Sequence, residues 1–285
     1  MGGDAVVSIV HHCDWKDLPV ESCDLLCVDA PYSEKTHKGH DEGSMTANRA
    51  LAWSRRVTDK PITRPNQIRE RRYAANASSM GRSSLDYSYW TSADVDAFVE
   101  HWVPRTNGWF VSLTDDQLAP AWAAALERAG RYVFSPLACV EPGSRVRMSG
   151  DGPSQWTCYA IVARPKRAPY SKWGALPGAY IPGPNDKSPR PQNDGKGVVG
   201  GKPRWLMDRL ILDYSRPGDL VVDPCCGAAT TGVAALRHGR RFIGGDAMAE
   251  HVVLAREAIA AELELSTVGA RKAGQVPLFG EVANG

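Results

Sequence analysis

The amino-acid sequence predicts an α/β protein with a Rossmann-like, doubly wound and mostly parallel sheet. Three observations support this fold class: short apolar runs typical of buried strands, helical patterns between them, and an aspartate directly after two of the runs. The 285 residues are 43% hydrophobic and 23% charged, which is enough for one large core. We therefore expect a single domain over residues 1–285 that carries irregular basic insertions.

The first half of the chain alternates strands with helices. The apolar run at 25–28 predicts a buried strand, and residues 92–103 carry apolar side chains at helical spacing. The alternation continues with a strand at 109–113, a helix at 116–128, and strands at 132–134 and 156–163. Asp115 and Asp116 stand where the second helix begins, so we expect them to cap it.

The second half contains a segment, residues 220–246, with the order of a nucleoside-binding half-site. The run 220–222 predicts a parallel strand with Asp223 at its carboxyl end, and Gly227 lies in the small turn that follows. The unit continues with a helix over 230–237 and a strand over 241–244. Asp246 comes next, at the position where an acid accepts hydrogen bonds from ribose hydroxyls.

The turn lacks the features that bind phosphate. Ala229 stands where a dinucleotide fold needs its second glycine, and Val233 stands where a P-loop has its lysine. Asp223 would repel phosphate but would attract an ammonium group. The expected ligand is therefore S-adenosyl-L-methionine, a nucleoside that carries an ammonium group and no phosphate. A plain βαβ crossover with acids at its strand ends is the alternative.

A second acidic corner follows the strand at 25–28. Pro31 prevents regular continuation of this strand and biases Ala30 toward an extended shape, so Asp29 and Tyr32 project from a rigid corner. The side chain of Asp29 and the carbonyl of Ala30 would orient an exocyclic amine, whose lone pair is delocalised into its ring. Tyr32 offers an aromatic face to a base that has left the duplex stack. An ordinary strand-to-loop corner is the alternative.

These segments resemble the DNA amino methyltransferases, which methylate exocyclic nitrogens of bases. The sequence VVDPCCGAATT is similar to their cofactor motif DPFxGSGTT, with Cys225 in place of Phe, and GKPRWL at 201–206 is similar to the KP...L segment that precedes it. Asp29-Ala30-Pro31-Tyr32 resembles their catalytic D/N/S-P-P-Y/F/W motif. Asp at the first position is more typical of adenine N6 enzymes, and Ser of cytosine N4 enzymes, so the resemblance implies adenine N6.

The resemblance also implies a site and a class. The implied cofactor-binding residues are Asp29, Lys202, Asp223, Pro224, Cys225, Gly227, Thr230, Thr231 and Asp246. The catalytic motif precedes the cofactor motif, as in the beta class, which implies a circularly permuted methyltransferase order. Cytosine N4 methylation, an RNA or protein-amide methyltransferase, and a catalytically silent DNA-binding relative are the alternatives.

DNA is the expected partner, because the basic residues are clustered although the net charge is only +2. Residues 33–90 are interpreted as a basic insertion, and residues 164–200 as an irregular basic and aromatic stretch that recognises the target. The candidate DNA contacts are Arg55, Arg56, Arg71, Arg72, Lys172 and Trp173. A solvated helical face and a flexible linker, respectively, are the alternatives for the two stretches.

The remaining expectations concern the tail and the surroundings. Residues 266–285 are predicted to be a flexible tail, in which Gln275 to Phe279 resembles the Q-x-x-L-F peptide that docks on the bacterial sliding clamp. Local packing of this peptide is the alternative. The sequence has no apolar run long enough for a membrane span, so we expect a cytoplasmic protein. We also expect it to be a monomer or a homodimer. Its seven cysteines include no C-x-x-C pair of the kind that binds zinc, which argues against a metal site.

Overall fold

The computed structural model describes residues 8–37, 88–142, 153, 155–167, 173–183, 186 and 201–264. Nine strands in this part of the chain form one sheet. The strands are β1 (Ser8–His12), β2 (Cys23–Val28), β3 (Thr106–Thr114), β4 (Arg131–Val133), β5 (Leu137–Val140), β6 (Thr157–Pro165), β7 (Ala179–Tyr180), β8 (Leu220–Asp223) and β9 (Arg241–Asp246). The principal helices are α1 (Ser92–Trp102), α2 (Ala119–Arg128), α3 (Arg204–Tyr214), α4 (Thr230–Arg237) and α5 (Ala249–Leu263).

The sheet is parallel on one side and mixed on the other. Its strand order is β1-β9-β8-β2-β3-β6-β5-β7, and β4 also pairs with β6. The first five strands in this order are mutually parallel, whereas β6 runs antiparallel to β3, β4 and β5. The predicted α/β class with a doubly wound, mostly parallel sheet is confirmed.

The central strand β2 shows why the sheet is buried on both faces. Leu25 and Cys27 point into one hydrophobic cluster, and Leu26 and Val28 point into the other. All four side chains are fully buried. Because successive side chains of a strand point to opposite faces, a strand covered on both sides needs an unbroken apolar run, and this sequence provides one.

Different helices cover the two faces. Helices α3, α4 and α5 pack on the face that receives Leu25, where Leu206, Leu210 and Phe242 are among the fully buried side chains. Helices α1 and α2 pack on the other face, where the ring of Phe98 lies 5.6 Å from that of Trp122 in an edge-on contact. These two clusters hold the strands rigidly, so the ends of the strands are fixed points for a site.

The strand order reverses between β8 and β2. From β8 the chain continues to β9 on one side, and from β2 it continues to β3 on the other side. Ligands of open α/β sheets bind at such a point, outside the carboxyl ends of the strands. Residues Asp29 and Asp223, which follow and end these two strands, therefore belong to one crevice.

The observed elements differ from the predicted ones in two respects. Helix α2 begins at Ala119 instead of 116, because Pro120 favours the first turn and the Asp115 carboxylate accepts hydrogen bonds from the backbone N–H groups ahead of it. The prediction missed helices α3 and α5. It also missed the strands β1, β5 and β7, the last of which lies inside the stretch 164–200 that was expected to be irregular. These strands lie toward the edges of the sheet, where pairing does not require a long apolar run.

Among the described residues, no helix is long and apolar enough to cross a bilayer.

Substitution of Gly108 by Ala should destabilise the fold. A Cβ atom at this position would lie 2.1 Å from the backbone carbonyl oxygen of Asp24 on the neighbouring strand, and a backbone group cannot rotate away. We expect Gly108→Ala to lower the free energy of unfolding by about 1–3 kcal/mol in urea denaturation. Gly178→Ala is the matched control, because nothing lies within 4 Å of its added Cβ. Equal stability of the two variants would contradict the prediction.

Candidate active site at the carboxyl edge of the sheet

The corner after β2 is held by two long-range contacts. Nζ of Lys202 lies 2.7 Å from Oδ1 and 2.8 Å from Oδ2 of Asp29, so both carboxylate oxygens face the ammonium group. The backbone N–H of Trp90 donates to the carbonyl of Tyr32 at 3.0 Å. Ala30 and Tyr32 are buried at 3% and 7% exposure, respectively. These contacts hold the corner in place, and Tyr32 is buried in it instead of projecting from it; the catalytic role of the corner residues stays a prediction.

Asp115, at the end of the neighbouring strand β3, anchors the chain just after this corner. Its Oδ2 accepts hydrogen bonds from the Ser33 backbone N–H at 3.0 Å, and from the hydroxyls of Ser33 and Thr36, both at 2.5 Å. Its Oδ1 accepts the backbone N–H of Leu118 at 3.0 Å, but Leu118 is itself the N-cap of α2 and no side chain caps the helix, so the predicted capping by Asp115 and Asp116 is wrong. Burial opposes ionisation of Asp115, but the hydrogen bonds from Ser33 and Thr36 outweigh burial and hold its pKa below the usual value. The sequence analysis did not predict the hydrogen bonds by which Asp115 anchors Ser33 and Thr36.

Asp223 ends β8 in a buried position. The Thr231 hydroxyl donates to its Oδ2 at 2.6 Å, and the Cys225 backbone N–H donates to its Oδ1 at 3.1 Å. The carboxyl group is 1% exposed. Burial, with added repulsion from Asp29 and Asp246, raises the pKa of Asp223 to about 7 despite these hydrogen bonds.

The turn between Asp223 and α4 is compact. Gly227 and Ala229 both have positive φ angles, 51° and 57°. Ala229 stands where the family motif has glycine, and the left-handed conformation costs an L-residue about 1–2 kcal/mol. Burial raises the pKa of the Cys225 and Cys226 thiols well above the usual value, so both stay protonated near neutral pH.

Asp246 closes the turn from the adjacent strand β9. Its Oδ2 accepts the backbone N–H of Gly227 at 2.9 Å, and its Oδ1 accepts that of Met248 at 2.9 Å. Nδ1 of His251 lies 3.1 Å from the same Oδ1. The side chain of Asp246 is still 12% exposed. Its carboxylate is therefore fixed in direction, as recognition of a hydroxyl requires.

The structure brings together the two halves of the site that the sequence separates. Asp29, Asp223 and Asp246 lie at the carboxyl ends of three adjacent strands, β2, β8 and β9. Pro224, Cys225, Gly227, Thr230 and Thr231 lie on the turn or the first residues of α4. The described residues contain no group of three or more His, Cys, Asp and Glu side chains placed to hold a metal ion.

The predicted DNA contacts are only partly within the described residues. Trp173 is described: its ring lies 5.5 Å from that of Trp109, and the Arg216 guanidinium lies 3.6 Å from the Trp173 ring centre. Trp173 thus packs beside β3, and its contact with DNA stays a prediction. The other candidates, Arg55, Arg56, Arg71, Arg72 and Lys172, lie outside the described residues.

Comparison with known proteins agrees with this architecture. A family model named N6_N4_Mtase and described as DNA methylase matches residues 105–257, more than half of the chain. The chain belongs to this DNA methylase family. The match begins beyond the Asp29 corner and includes the whole turn from Asp223 to Asp246.

Two curated relatives match shorter segments. The type II methyltransferase M2.DpnII of Streptococcus pneumoniae is 49% identical over 63 residues, which are 22% of this chain and 24% of that protein. The DNA adenine methyltransferase YhdJ of Escherichia coli K12 is 41% identical over 80 residues, which are 26% and 27%. The matched segments thus span about a quarter of these DNA methylases.

Two solved structures share the fold over most of the chain. The M1.HpyAVI-SAM complex has a TM-score of 0.53 at 17% identity and covers 87% of this chain and 97% of that chain. The cytosine-N4-specific PvuII DNA methyltransferase has a TM-score of 0.53 at 13% identity and covers 88% and 86%. At identities this low, the similarity to these two structures shows a shared fold and nothing about function.

The buried carboxyl group of Asp223 predicts a pH-dependent stability. Because its pKa rises from 3.8 to about 7 on folding, its contribution to stability is greatest below pH 4 and is lost as the pH rises through 7. Asp223→Asn keeps the shape and can still hydrogen-bond with Thr231, but it cannot ionise. We expect this variant to lose less stability than the wild type between pH 5 and pH 8, by about 3 kcal/mol, because only the two pH units between 5 and the pKa near 7 contribute. Urea unfolding without cofactor at both pH values tests this, and parallel pH profiles would refute it.

Proposed function

We propose that this DNA methylase transfers a methyl group from S-adenosyl-L-methionine to an exocyclic amine of a DNA base, and that this amine is N6 of adenine. One observation carries the proposal: the Asp29 carboxylate and the Tyr32 ring share an edge of the sheet with the acidic turn from Asp223 to Asp246. Family membership supports it, as does YhdJ, which is named a DNA adenine methyltransferase. The M1.HpyAVI structure, whose fold is similar, is a SAM complex.

The groups around the turn fit this cofactor. Asp223 and Asp246 are acceptors, which suit an ammonium group and ribose hydroxyls. Pro224, Cys225 and Thr230 complete the proposed cofactor set. When bound, the cofactor supplies an electrophilic methyl group.

The corner residues would act on the base. The Asp29 carboxylate accepts one N–H of the target amine, and the Ala30 carbonyl accepts the other, which directs the lone pair away from the ring. Pro31 keeps these two acceptors in a fixed relation. The Tyr32 ring stacks on the extruded base and excludes water. The protonated thiols of Cys225 and Cys226 take no chemical part in the transfer, because direct transfer needs no covalent intermediate.

Cytosine N4 is the second candidate target, since the same two acceptors would orient its amine, and the cytosine-N4-specific PvuII enzyme has a similar fold. The two targets are distinguished by nucleoside analysis of methylated DNA. Adenine methylation supports the first proposal, and N4-methylcytosine would replace it. A silent relative would transfer no methyl group to either base.

The proposed partners are DNA and, through the peptide Gln275 to Phe279, the sliding clamp. This peptide and the basic residues Arg55, Arg56, Arg71 and Arg72 lie outside the described residues, so their contacts stay predictions. The division into residues 33–90, 164–200 and 266–285 likewise stays a prediction, as do the permuted order and the monomer or homodimer state.

Asp29→Ala should abolish transfer but leave cofactor binding intact, because the variant loses the acceptor that orients the amine. We expect the rate to fall at least about 100- to 1,000-fold, the range for one lost preorganised group. Transfer of radioactive methyl to DNA and calorimetric titration with the cofactor measure the two effects. Asp96→Ala is the control, since Asp96 is 48% exposed in a surface pair with Arg128. Full activity of Asp29→Ala would disprove the assignment.

Asp246→Ala should weaken cofactor binding, because the variant loses a carboxylate that two backbone N–H groups hold in place. One lost hydrogen bond to a charged group corresponds to roughly a tenfold or larger increase in Kd. Calorimetry measures the change, again with Asp96→Ala as the control. An unchanged Kd would count against the ribose role.

A further inference from the structure

Lys202 lies on the acceptor side of the site. It directly precedes Pro203, the N-cap of α3, and it reaches Asp29 across 173 residues of sequence. Its side chain is only 10% exposed. Besides the contact with both Asp29 oxygens, Nζ lies 4.7 Å from the centre of the Tyr32 ring. A buried lysine with these two neighbours is a specific arrangement, because lysine is almost never buried without a partner.

Asp29 and Tyr32, which both lie close to Nζ, are groups that the proposed function assigns to the base. An ammonium nitrogen donates N–H bonds to the Asp29 carboxylate as an exocyclic amine would, and it lies near the face of Tyr32 on which a base would stack. The ammonium group therefore occupies the place expected for the target amine.

We propose that Lys202 is a positioning residue of the acceptor half, and that its ammonium group holds the place of the target amine until a base enters. This inference rests on the proposed function. It differs from the sequence-based assignment of Lys202 to the cofactor.

The surrounding charges explain why such a residue is needed. Asp29 lies in the same crevice as Asp223, and their carboxylates repel each other. Without a cation, the Asp29 side chain would be free to turn away from this repulsion. Lys202 holds both of its oxygens in one direction. An ionised carboxylate has about four acceptor sites, so the amine of a base can displace Lys202 from one oxygen of Asp29 while Lys202 stays bound to the other.

The proposal predicts a specific separation of kinetic effects. Lys202→Met keeps the length of the side chain but removes its charge and its donors. We expect kcat to fall at least about 100-fold, as for loss of preorganisation, while the KM for DNA is unchanged or lower, because nothing has to be displaced by the base. The Kd for the cofactor should stay within about threefold. Lys202→Arg, which can donate to both carboxylate oxygens, should recover part of kcat.

The experiment measures kcat and KM by methyl transfer to duplex DNA, Kd by calorimetry, and base extrusion by the fluorescence of 2-aminopurine at the target position. Lys16→Met is the matched control, because Lys16 is exposed. Thermal unfolding reports whether each variant folds. If Lys202→Met does not fold, Lys202→Gln, which keeps donors without charge, is judged by the same criteria.

Several outcomes would overturn the proposal. A kcat within about threefold of the wild type would show that Asp29 needs no partner. A raised Kd for the cofactor with unchanged kcat would return Lys202 to the cofactor half. Loss of base extrusion together with a raised KM would make Lys202 a DNA contact. Wild-type protein that transfers no methyl group would overturn both this inference and the proposed function, whereas active wild type with active Lys202→Met overturns this inference alone.

Discussion

The site depends on one electrostatic constraint: β2, β8 and β9 run in parallel and all deliver an aspartate to the same buried edge. Like charges in a poorly solvated place are unfavourable. The carboxyl group of each aspartate is stabilised in a different way. Asp29 faces an ammonium group, Asp246 accepts backbone N–H groups, and the buried Asp223 shifts its pKa upward until its neutral form is accessible. We propose a different task for each acid: Asp29 orients the target amine, Asp246 binds ribose hydroxyls and Asp223 binds the ammonium group of the cofactor.

The rigidity of the edge comes from packing at a distance from it. The two faces of β2 are covered by separate clusters, so its end cannot shift toward either one. The corner beyond β2 is tied sideways to β3, because one carboxylate oxygen of Asp115 holds Ser33 and Thr36 while the other holds the start of α2. The position of the corner is therefore set by neighbouring strands and does not depend on the loop that follows.

Sequence reasoning succeeded where the information is local and failed where it is not. The apolar run of β2 and the segment from Leu220 to Asp246 contain their own strand, turn and helix signals, so the fold class and the acidic strand ends were predictable. The contacts of Asp115 with Ser33 and of Lys202 with Asp29 join residues 82 and 173 positions apart. No short pattern predicts such a contact, although an acid at the end of β3 and a lysine before Pro203 were visible.

The place of β2 in the sheet also has a consequence for synthesis of the chain. Its two neighbours are β3 and β8, and β8 is translated almost 200 residues after β2. While the ribosome makes the intervening residues, β2 can pair on one side only, and the backbone N–H and C=O groups of its other edge are unpaired. Such an edge invites pairing with other chains. Folding of this protein in the cell should therefore be sensitive to translation rate and to chaperones that cover nascent strands.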